Sequence, residues 1–406
     1  QKEEEERQKK NEKLNKIEKS VKENKEEAEE KREKEINKKQ ELKEEVKKEA
    51  EVLAGEAGHK RLIVVYGEDP DSGVDYMVDT IRSIYEVSVQ ARQGRGEIRR
   101  VNVNAPPLAI EDLKKLKDVG IGTYQVFHET YHHDTYAQVH PSDTVKANYQ
   151  WRLYALHRAI EAGVDDVAIG ALFGLYDWRF EVMGLLYHTR DLEQQFNGIG
   201  PHTISFPRLE PANNAPLSEN AQYPVPDETF RKLITVLRLS VPYTGMILTA
   251  REPPELRREL IPLGITQTDA STKIGIGSYD DQAQQQQDDR QQFMLGDTRS
   301  LDEVIRELAD MGYITSFCTA GYRCGRTGHL IMDLLKCGKE GRFCKLNAIL
   351  TFKEWLNDFA SPETQKSGEK VIADEIAEVQ QQLPDVYPQL CDYLDRIDKG
   401  ERDFYF

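Results

Sequence analysis

The most informative absence in this chain is cysteine, because the first 317 of its 406 residues contain none. The few cysteines present all follow at positions Cys318, Cys324, Cys337, Cys344 and Cys391. They are too few and too clustered for the disulfide framework of a small secreted protein. Their clustering favours a metal site or buried thiols in a reducing compartment.

Long apolar runs and excess positive charge are also absent. No run approaches the roughly 20 apolar residues of a membrane-spanning helix, and the first residues lack the apolar stretch of a signal peptide. We therefore expect an intracellular protein that is neither secreted nor associated with a membrane. The net charge is −16, from 55 Lys and Arg against 71 Asp and Glu. An acidic chain without a basic patch argues against nucleic acid as a partner.

Residues 1–40 alternate Lys and Glu and contain neither Gly nor Pro. Their few apolar positions fit a heptad seam only as far as Val21, which argues against a coiled coil. A solvated single helix supported by Glu–Lys pairs four residues apart is the better interpretation. We treat residues 1–40 as a charged extension without chemistry of its own.

From residue 41 onward, short apolar runs alternate with helical patterns, which is typical of parallel strands joined by crossover helices. The strand-like runs are Arg61–Tyr66, Arg100–Val103, Thr123–Phe127, Asp166–Leu172, His202–Phe206, Met246–Thr249 and Ile265–Thr268. The helical patterns include Asp75–Tyr85, Glu111–Val119, Ala147–Ala162 and Asp227–Leu239. The pattern predicts an α/β fold, either a β/α barrel or an open sheet. Seven strands suit an eight-stranded barrel that lacks its first unit.

A polar, Gln-rich segment at residues 277–297 separates this region from the rest of the chain, and its composition cannot build a core. We therefore predict an incomplete barrel over residues 41–299. Residues 300–406 are predicted to form a C-terminal, helix-rich domain, which carries all five cysteines.

Functional residues of parallel α/β folds gather where the strands end. Four predicted strand ends carry charge: Glu68, Glu129, Asp177 and Arg251. Together they favour a site at one end of the barrel, although solvated loop residues are the alternative for each alone. The run from His128 to His133 resembles a zinc motif, but it follows a strand, and zinc binding of that kind requires a helix.

The cysteines offer a second candidate site. Cys318, Cys324 and Cys344 provide three thiolates, enough to anchor a cubane iron–sulfur cluster with one open iron. Buried cysteines that act as small apolar residues remain an equal alternative.

About 350 residues of the chain resemble the tyrosine lyases of FeFe-hydrogenase maturation, which are radical S-adenosylmethionine (SAM) enzymes. The motifs that carry the resemblance are Arg99–Asn104, Glu129–His132, Gly174–Asp177, Gly200–Ser205, Val241–Leu248, Gly325–Gly328 and Asn347–Phe352. The resemblance implies a radical-SAM barrel and a cluster-binding C-terminal domain. It also implies cleavage of tyrosine to p-cresol and dehydroglycine, and conversion of the latter to CO and cyanide for the hydrogenase cofactor.

The resemblance also implies cofactors, partners and site residues. SAM, two 4Fe-4S clusters and tyrosine are expected, and other hydrogenase maturation proteins are expected as partners, in the cytoplasm or in a hydrogenase-containing organelle. The residues that match SAM-binding motifs are Gly67, Glu68, Gly170, Leu172, Gly174 and Asp177. Arg251 is a candidate anchor for the tyrosine carboxylate, with Glu129 beside it. Cys318, Cys344 and His202 match the second metal site, where Cys324 is a candidate substitute ligand.

Two departures from the family pattern limit what this sequence predicts. The Cys-x3-Cys-x2-Cys loop that binds the radical cluster is absent, and Gly321 replaces the middle cysteine of the second cluster. We expect an N-terminally truncated lyase, consistent with a sequence that does not begin with Met. The alternatives are a non-catalytic relative that serves as a binding or scaffolding module, and the tyrosine lyase of thiazole synthesis.

Overall fold

The computed structural model describes residues 40–69, 72–212, 215–219, 221–274, 279 and 293–406. Contacts divide the chain into two compact units, residues 1–48 and residues 49–406. All but the last residue of the predicted charged helix over residues 1–40, and most of the Gln-rich segment, lie outside the described residues. None of the helices described combines the length and the apolar character needed to span a bilayer.

The larger unit is built on a parallel sheet whose strands follow the order β1-β4-β5-β6-β7-β8-β9, with a separate hairpin of β2 and β3. The strands are β1 (Arg61–Val65), β2 (Ser88–Gln90), β3 (Arg95–Glu97), β4 (Arg100–Asn104), β5 (Thr123–Gln125), β6 (Asp166–Gly170), β7 (Thr203–Ser205), β8 (Gly245–Leu248) and β9 (Gln267–Thr268). All seven predicted strands are therefore confirmed, parallel and in sequence order. The sheet curls into part of a barrel, which confirms the predicted fold class.

Helices connect the strands and form the C-terminal region. They are α1 (residues 40–55), α2 (Val74–Tyr85), α3 (Ile110–Asp118), α4 (His133–Val139), α5 (Tyr149–Leu153), α6 (Ala155–Glu161), α7 (Trp178–Gln195), α8 (Pro216–Glu219), α9 (Asp227–Ser240), α10 (Pro254–Leu260), α11 (Leu301–Asp310), α12 (Ala320–Arg323), α13 (Gly328–Lys336), α14 (Glu340–Asp358), α15 (Pro362–Gln382) and α16 (Tyr387–Asp398). Short 3-10 turns lie at Val145–Ala147 and Ile261–Leu263.

The central strands are buried on both faces, because helices cover one face and the strands curl around the other. Every residue of β5 and β6 is buried. The edge strand β1 differs, since Ile63 is 48% exposed and Val65 is 68% exposed. Both lie on the face of β1 opposite to Tyr66, whose hydroxyl bonds to Thr80 of α2. The concave face is therefore open along β1, where the described residues pair only with β4.

The C-terminal helices have an apolar core of their own, formed chiefly by α11, α14, α15 and α16. A buried ionic cluster joins α14 to the start of the sheet. Glu354, which is fully buried, accepts a 2.8 Å hydrogen bond from Arg99 and lies 3.6 Å from the Lys60 ammonium. Its second oxygen accepts from the main-chain N–H of Asp403 at 2.7 Å. Removal of one partner would leave a buried charge uncompensated, so this cluster fixes the C-terminal region in place.

Candidate functional site

The four charged residues predicted at strand ends all lie at the carboxyl edge of the sheet. Glu68 follows β1, Glu129 follows β5, Asp177 follows β6 and Arg251 follows β8, and all four strands are parallel. Electrostatic interactions agree with this placement, because Glu68 and Glu129 both act on the phenol of Tyr136. The sheet thus brings these residues to a single edge.

Glu129 has an unusual conformation at this edge. Its φ is 69°, in the left-handed region that side chains other than glycine rarely adopt. Arg152 of α5 donates 2.9 Å hydrogen bonds to Glu129 Oε1 and to the main-chain oxygen of Phe127. Arg152 could not be identified from the sequence, because its role depends on a helix that packs back onto the strand end.

Arg251 is a cation that has no close counter-ion in the part of the chain that the structure describes. Its guanidinium stacks 3.6 Å from the ring centre of Phe293 and donates a 3.4 Å hydrogen bond to the main-chain oxygen of Arg208. Burial lowers the pKa of Arg251, and among the carboxylates that oppose this shift Glu129 acts most strongly. No ion pair within 4 Å joins Arg251 to a carboxylate of the described residues. Its neighbour Arg208, in contrast, is paired with Glu252 and Asp227.

The glycines predicted to flank adenine have clear packing roles. A side chain at Gly170 would collide with the ring of Phe127 and with the main-chain oxygen of Ser205. Gly174 has a φ of 119° and lies against Leu209. Leu172 donates its main-chain N–H to the Glu129 carbonyl at 2.8 Å. These contacts shape the strand end, and a role in SAM binding stays a prediction.

Asp177 and Glu68 differ in their surroundings. The Asp177 carboxylate caps α7 and accepts hydrogen bonds from the main-chain N–H groups of Arg179 and Phe180. Glu68 and Gly67 are exposed and follow the open edge strand, and a side chain at Gly67 would meet nothing within 4 Å. Space for a ligand therefore exists beside Glu68.

The histidines after β5 belong to an aromatic cluster. His128 is 2% exposed, and neither ring nitrogen has a hydrogen-bond partner among the described residues. Burial holds its pKa well below the ordinary value. His132 instead stacks on Tyr176 at 3.7 Å and caps α4. Within the described ranges, no three His, Cys, Asp or Glu side chains are arranged to hold a metal ion.

The second candidate site lies at the opposite, amino edge of the sheet. The Cys318 carbonyl lies 3.5 Å from Arg61 at the start of β1. His202 immediately precedes β7, and its Nδ1 lies 3.7 Å from a carboxylate oxygen of Asp166 at the start of β6. Neither of these two atoms has a hydrogen-bond partner in the described part of the chain.

Cys344 belongs to the same region. Its thiol lies 3.6 Å from Glu340 Oε1, and Glu340 in turn interacts electrostatically with His202. Loss of solvent around the thiol, together with Cys318 and Glu340, raises the pKa of Cys344 to about 12. The structure therefore places Cys318, Cys344 and His202 in one region, and their binding of a metal stays a prediction.

Cys324 has a different partner, because its thiol bonds to the main-chain oxygen of Phe406 at 3.3 Å. Gly321 lies in the short helix α12 and offers no thiolate. The residues present therefore do not provide three convergent thiolates for a cubane cluster. Neither does the carboxyl edge fit the radical cluster, since the sequence contains no cysteine before Cys318.

Comparison with known proteins agrees with this architecture. Residues 18–182 match the Radical SAM superfamily, and residues 205–314 match the Biotin and Thiamin Synthesis associated domain. A crystal structure of HydG, a maturase of the FeFe-hydrogenase, shares 46% identity at a TM-score of 0.83, covering 90% of this chain and 77% of that one. HydG from Carboxydothermus hydrogenoformans shares 39% identity at a TM-score of 0.72, covering 88% and 74%.

The chain is also similar to bacterial 2-iminoacetate synthases. The 2-iminoacetate synthase of Escherichia coli is 30% identical over 259 residues, covering 63% of this chain. This chain spans 64% of that protein's length and 63% of the length of its Salmonella typhimurium counterpart. Fold and similarity define a radical-SAM protein, a class whose members use SAM and a 4Fe-4S cluster. Within that class, the chain belongs to the FeFe-hydrogenase maturase family of HydG.

Proposed function

We propose that this chain forms the substrate-binding barrel and the C-terminal domain of a tyrosine lyase for FeFe-hydrogenase maturation. The observation that carries the proposal is the relationship between Glu129 and Arg251. Their charges act on each other, yet they form no ion pair within 4 Å. A ligand with both an ammonium and a carboxylate group satisfies both residues at once, and an α-amino acid has these two groups.

In this proposal the chain's own residues bind and orient tyrosine. Arg251 receives the carboxylate in a charge-assisted, forked contact, and Glu129 accepts from the ammonium group. Burial of Arg251 strengthens the contact, because the guanidinium has already lost much of its water. The phenol of the substrate then points away from these two charges.

SAM is proposed to bind at the same edge. Glu68 and Gly67 would hold its methionyl amino group, and Gly170, Leu172, Gly174 and Asp177 would surround its adenine. With a reduced 4Fe-4S cluster, SAM supplies the radical chemistry of the superfamily. This sequence holds no cysteines for that cluster before Cys318.

Domain boundaries and the second metal site form the remaining parts of the proposal. We propose a barrel over residues 41–299, after the charged extension, and a C-terminal domain over residues 300–406. The separate apolar core of α11 and α14–α16 supports that division. Cys318, Cys344 and His202 are proposed to bind iron, with Cys324 as a weaker candidate. Other hydrogenase maturation proteins are the proposed partners.

A second candidate function is a non-catalytic binding module that keeps the barrel without the radical cluster. The absence of cysteine before Cys318 favours it. Both functions predict ligand binding at the carboxyl edge, and reductive chemistry separates them. The thiazole-synthesis tyrosine lyase remains a third alternative, although the HydG structures share higher identity with this chain.

Calorimetric titration with L-tyrosine tests the proposed function. Unaltered protein should bind L-tyrosine, and Arg251→Gln should weaken binding at least tenfold, or about 1.4 kcal/mol. Arg82→Gln is the matched control, because that exposed arginine on α2 lies away from the carboxyl edge. Absence of tyrosine binding, or equal loss in both variants, would refute the assignment of Arg251.

A further inference from the structure

Arg152 holds the end of β5 through a fork of two hydrogen bonds. Its Nε donates to the Phe127 carbonyl and its Nη2 donates to Glu129 Oε1, both at 2.9 Å. The arginine side chain is only 10% exposed, and α5 fixes its position. One planar group thus links the main chain of the strand end to the carboxylate two residues later.

The main chain of Glu129 is fixed as well. Its φ of 69° is uncommon for a side-chain-bearing residue, and such conformations persist where the surroundings impose them. The Glu129 carbonyl accepts a 2.8 Å hydrogen bond from Leu172 on the neighbouring strand end. Glu129 is therefore held from two directions, by α5 through its side chain and by the β6 loop through its backbone.

This arrangement leaves part of the carboxylate free. Arg152 bonds to Oε1, whereas Oε2 receives no hydrogen bond from the described residues, and the side chain is 33% exposed. A surface glutamate would rotate freely, but this one is fixed with one oxygen available. Glu129 is also the carboxylate that acts most strongly on Arg251.

We propose that Arg152 is a positioning residue that fixes Glu129 Oε2 to receive the ammonium group of an α-amino acid bound at Arg251. The inference rests on the proposed function and adds to it a source of selectivity. A fixed carboxylate opposite a fixed guanidinium selects zwitterions over ligands that carry only one of the two charges. Preorganisation of this kind lowers the ordering cost at the moment of binding.

Lysine cannot replace arginine in this role. Lys keeps the positive charge beside Glu129 but is a point donor on a flexible stem, so it cannot bond to both oxygens in the fixed geometry of the fork. Arg152→Lys therefore separates positioning from charge. Glu129→Gln is the complementary variant, because it removes the negative charge while it retains the size of the side chain.

The experiment is calorimetric titration of the full chain with L-tyrosine, tyramine and 3-(4-hydroxyphenyl)propionate. Arg152→Lys should weaken L-tyrosine and tyramine about tenfold, and should leave the propionate, which lacks the amine, unchanged. In a Glu129→Gln background, Arg152→Lys should cause no further loss, because the group that it positions is gone. A thermal melt of each variant checks that the protein remains folded.

These titrations test the positioning role of Arg152 separately from the proposed binding of tyrosine. Equal loss of the propionate in Arg152→Lys, or additive loss in the double variant, would overturn the positioning role. If the unaltered protein binds none of the three ligands, the proposed function fails, and the inference fails with it. SAM also carries an α-amino acid group and is titrated in the same way. If Arg152→Lys weakens the binding of SAM and not of L-tyrosine, Glu129 receives the methionyl ammonium group of SAM instead.

Discussion

The Cys324 thiol and Arg326 Nη2 both donate hydrogen bonds to the main-chain oxygen of Phe406, at 3.3 and 2.7 Å. Cys344, in contrast, interacts with Cys318 and Glu340. Cys324 and Cys344 therefore have separate partners. This arrangement supports the hypothesis that Cys324 lies near the second metal site without converging on it.

Restoration of the missing thiolate is the first test. Gly321→Cys should markedly raise the iron and sulfide bound after anaerobic reconstitution, measured chemically and by the iron–sulfur absorbance. The substitution should be tolerated, because an added Cβ would meet only the Arg326 carbonyl at 3.5 Å. Gly73→Cys is the matched control, since that site is open and remote from the other cysteines. If Cys324→Ser removes as much iron as Gly321→Cys adds, Cys324 is already a ligand.

The second test concerns radical chemistry. The chain should neither cleave SAM reductively nor release p-cresol from tyrosine, because its sequence contains no cysteine before Cys318 to bind the reducing cluster. The measurement is 5′-deoxyadenosine formation after anaerobic reconstitution with iron, sulfide and a reductant. Turnover above the level of a no-protein control would show that other residues of this chain bind the cluster.

Lys60 gives a pH-dependent test of the buried ionic cluster. Burial and the neighbouring Arg99 lower the Lys60 pKa from 10.5 to about 8, against the opposing effect of Glu354. Between these pH values the unfolded chain keeps the proton that the folded chain has lost. The unfolding free energy of the protein relative to Lys60→Met should therefore rise with pH, by roughly 1.4 kcal/mol per unit.

Denaturant titrations at pH 8, 9 and 10 measure this difference. Lys114→Met serves as the control, because Lys114 is half exposed on α3 and its contribution should not vary in the same way. A difference between the unaltered protein and Lys60→Met that is flat, or that falls as pH rises, would contradict a lowered pKa for Lys60.

The open edge strand predicts weak solution stability. Ile63 and Val65 expose apolar surface on a strand that pairs on one side only within the described residues, and unpaired edges promote association. Val65→Lys should reduce light scattering on heating more than Leu239→Lys, which removes an even more exposed apolar side chain from α9. A sharp, cooperative melt at high temperature, without aggregation, would count against this interpretation.

The sequence predicted the sheet well, because buried parallel strands such as Asp166–Gly170 are short, continuous apolar runs. It missed the hairpin of β2 and β3, whose three-residue strands carry no such pattern. The predicted helix Ala147–Ala162 is divided at Tyr154, which leaves helical geometry although the apolar spacing continues. Local patterns do not report such an interruption, because it depends on contacts that α5 makes with the strand ends.

The residues of the candidate site could also be predicted only in part. Strand ends can be located from the sequence, so Glu129 and Arg251 were accessible to prediction. Arg152 was not, because it acts from a helix 23 residues beyond Glu129 and no spacing rule links the two. Asp177 could be placed at a strand end, but its capping of α7 depends on where that helix begins.

The two candidate sites lie at opposite ends of the same strands, so a molecule that passes from one site to the other must travel the length of a strand. The five residues of β6 extend about 13 Å from first to last, at about 3.3 Å per step. Any fragment released beside Glu129 and used beside His202 must cover that distance along the concave face. Among the described residues, nothing covers this face along β1, where Ile63 and Val65 meet solvent. Whatever covers β1 would therefore form one side of that route.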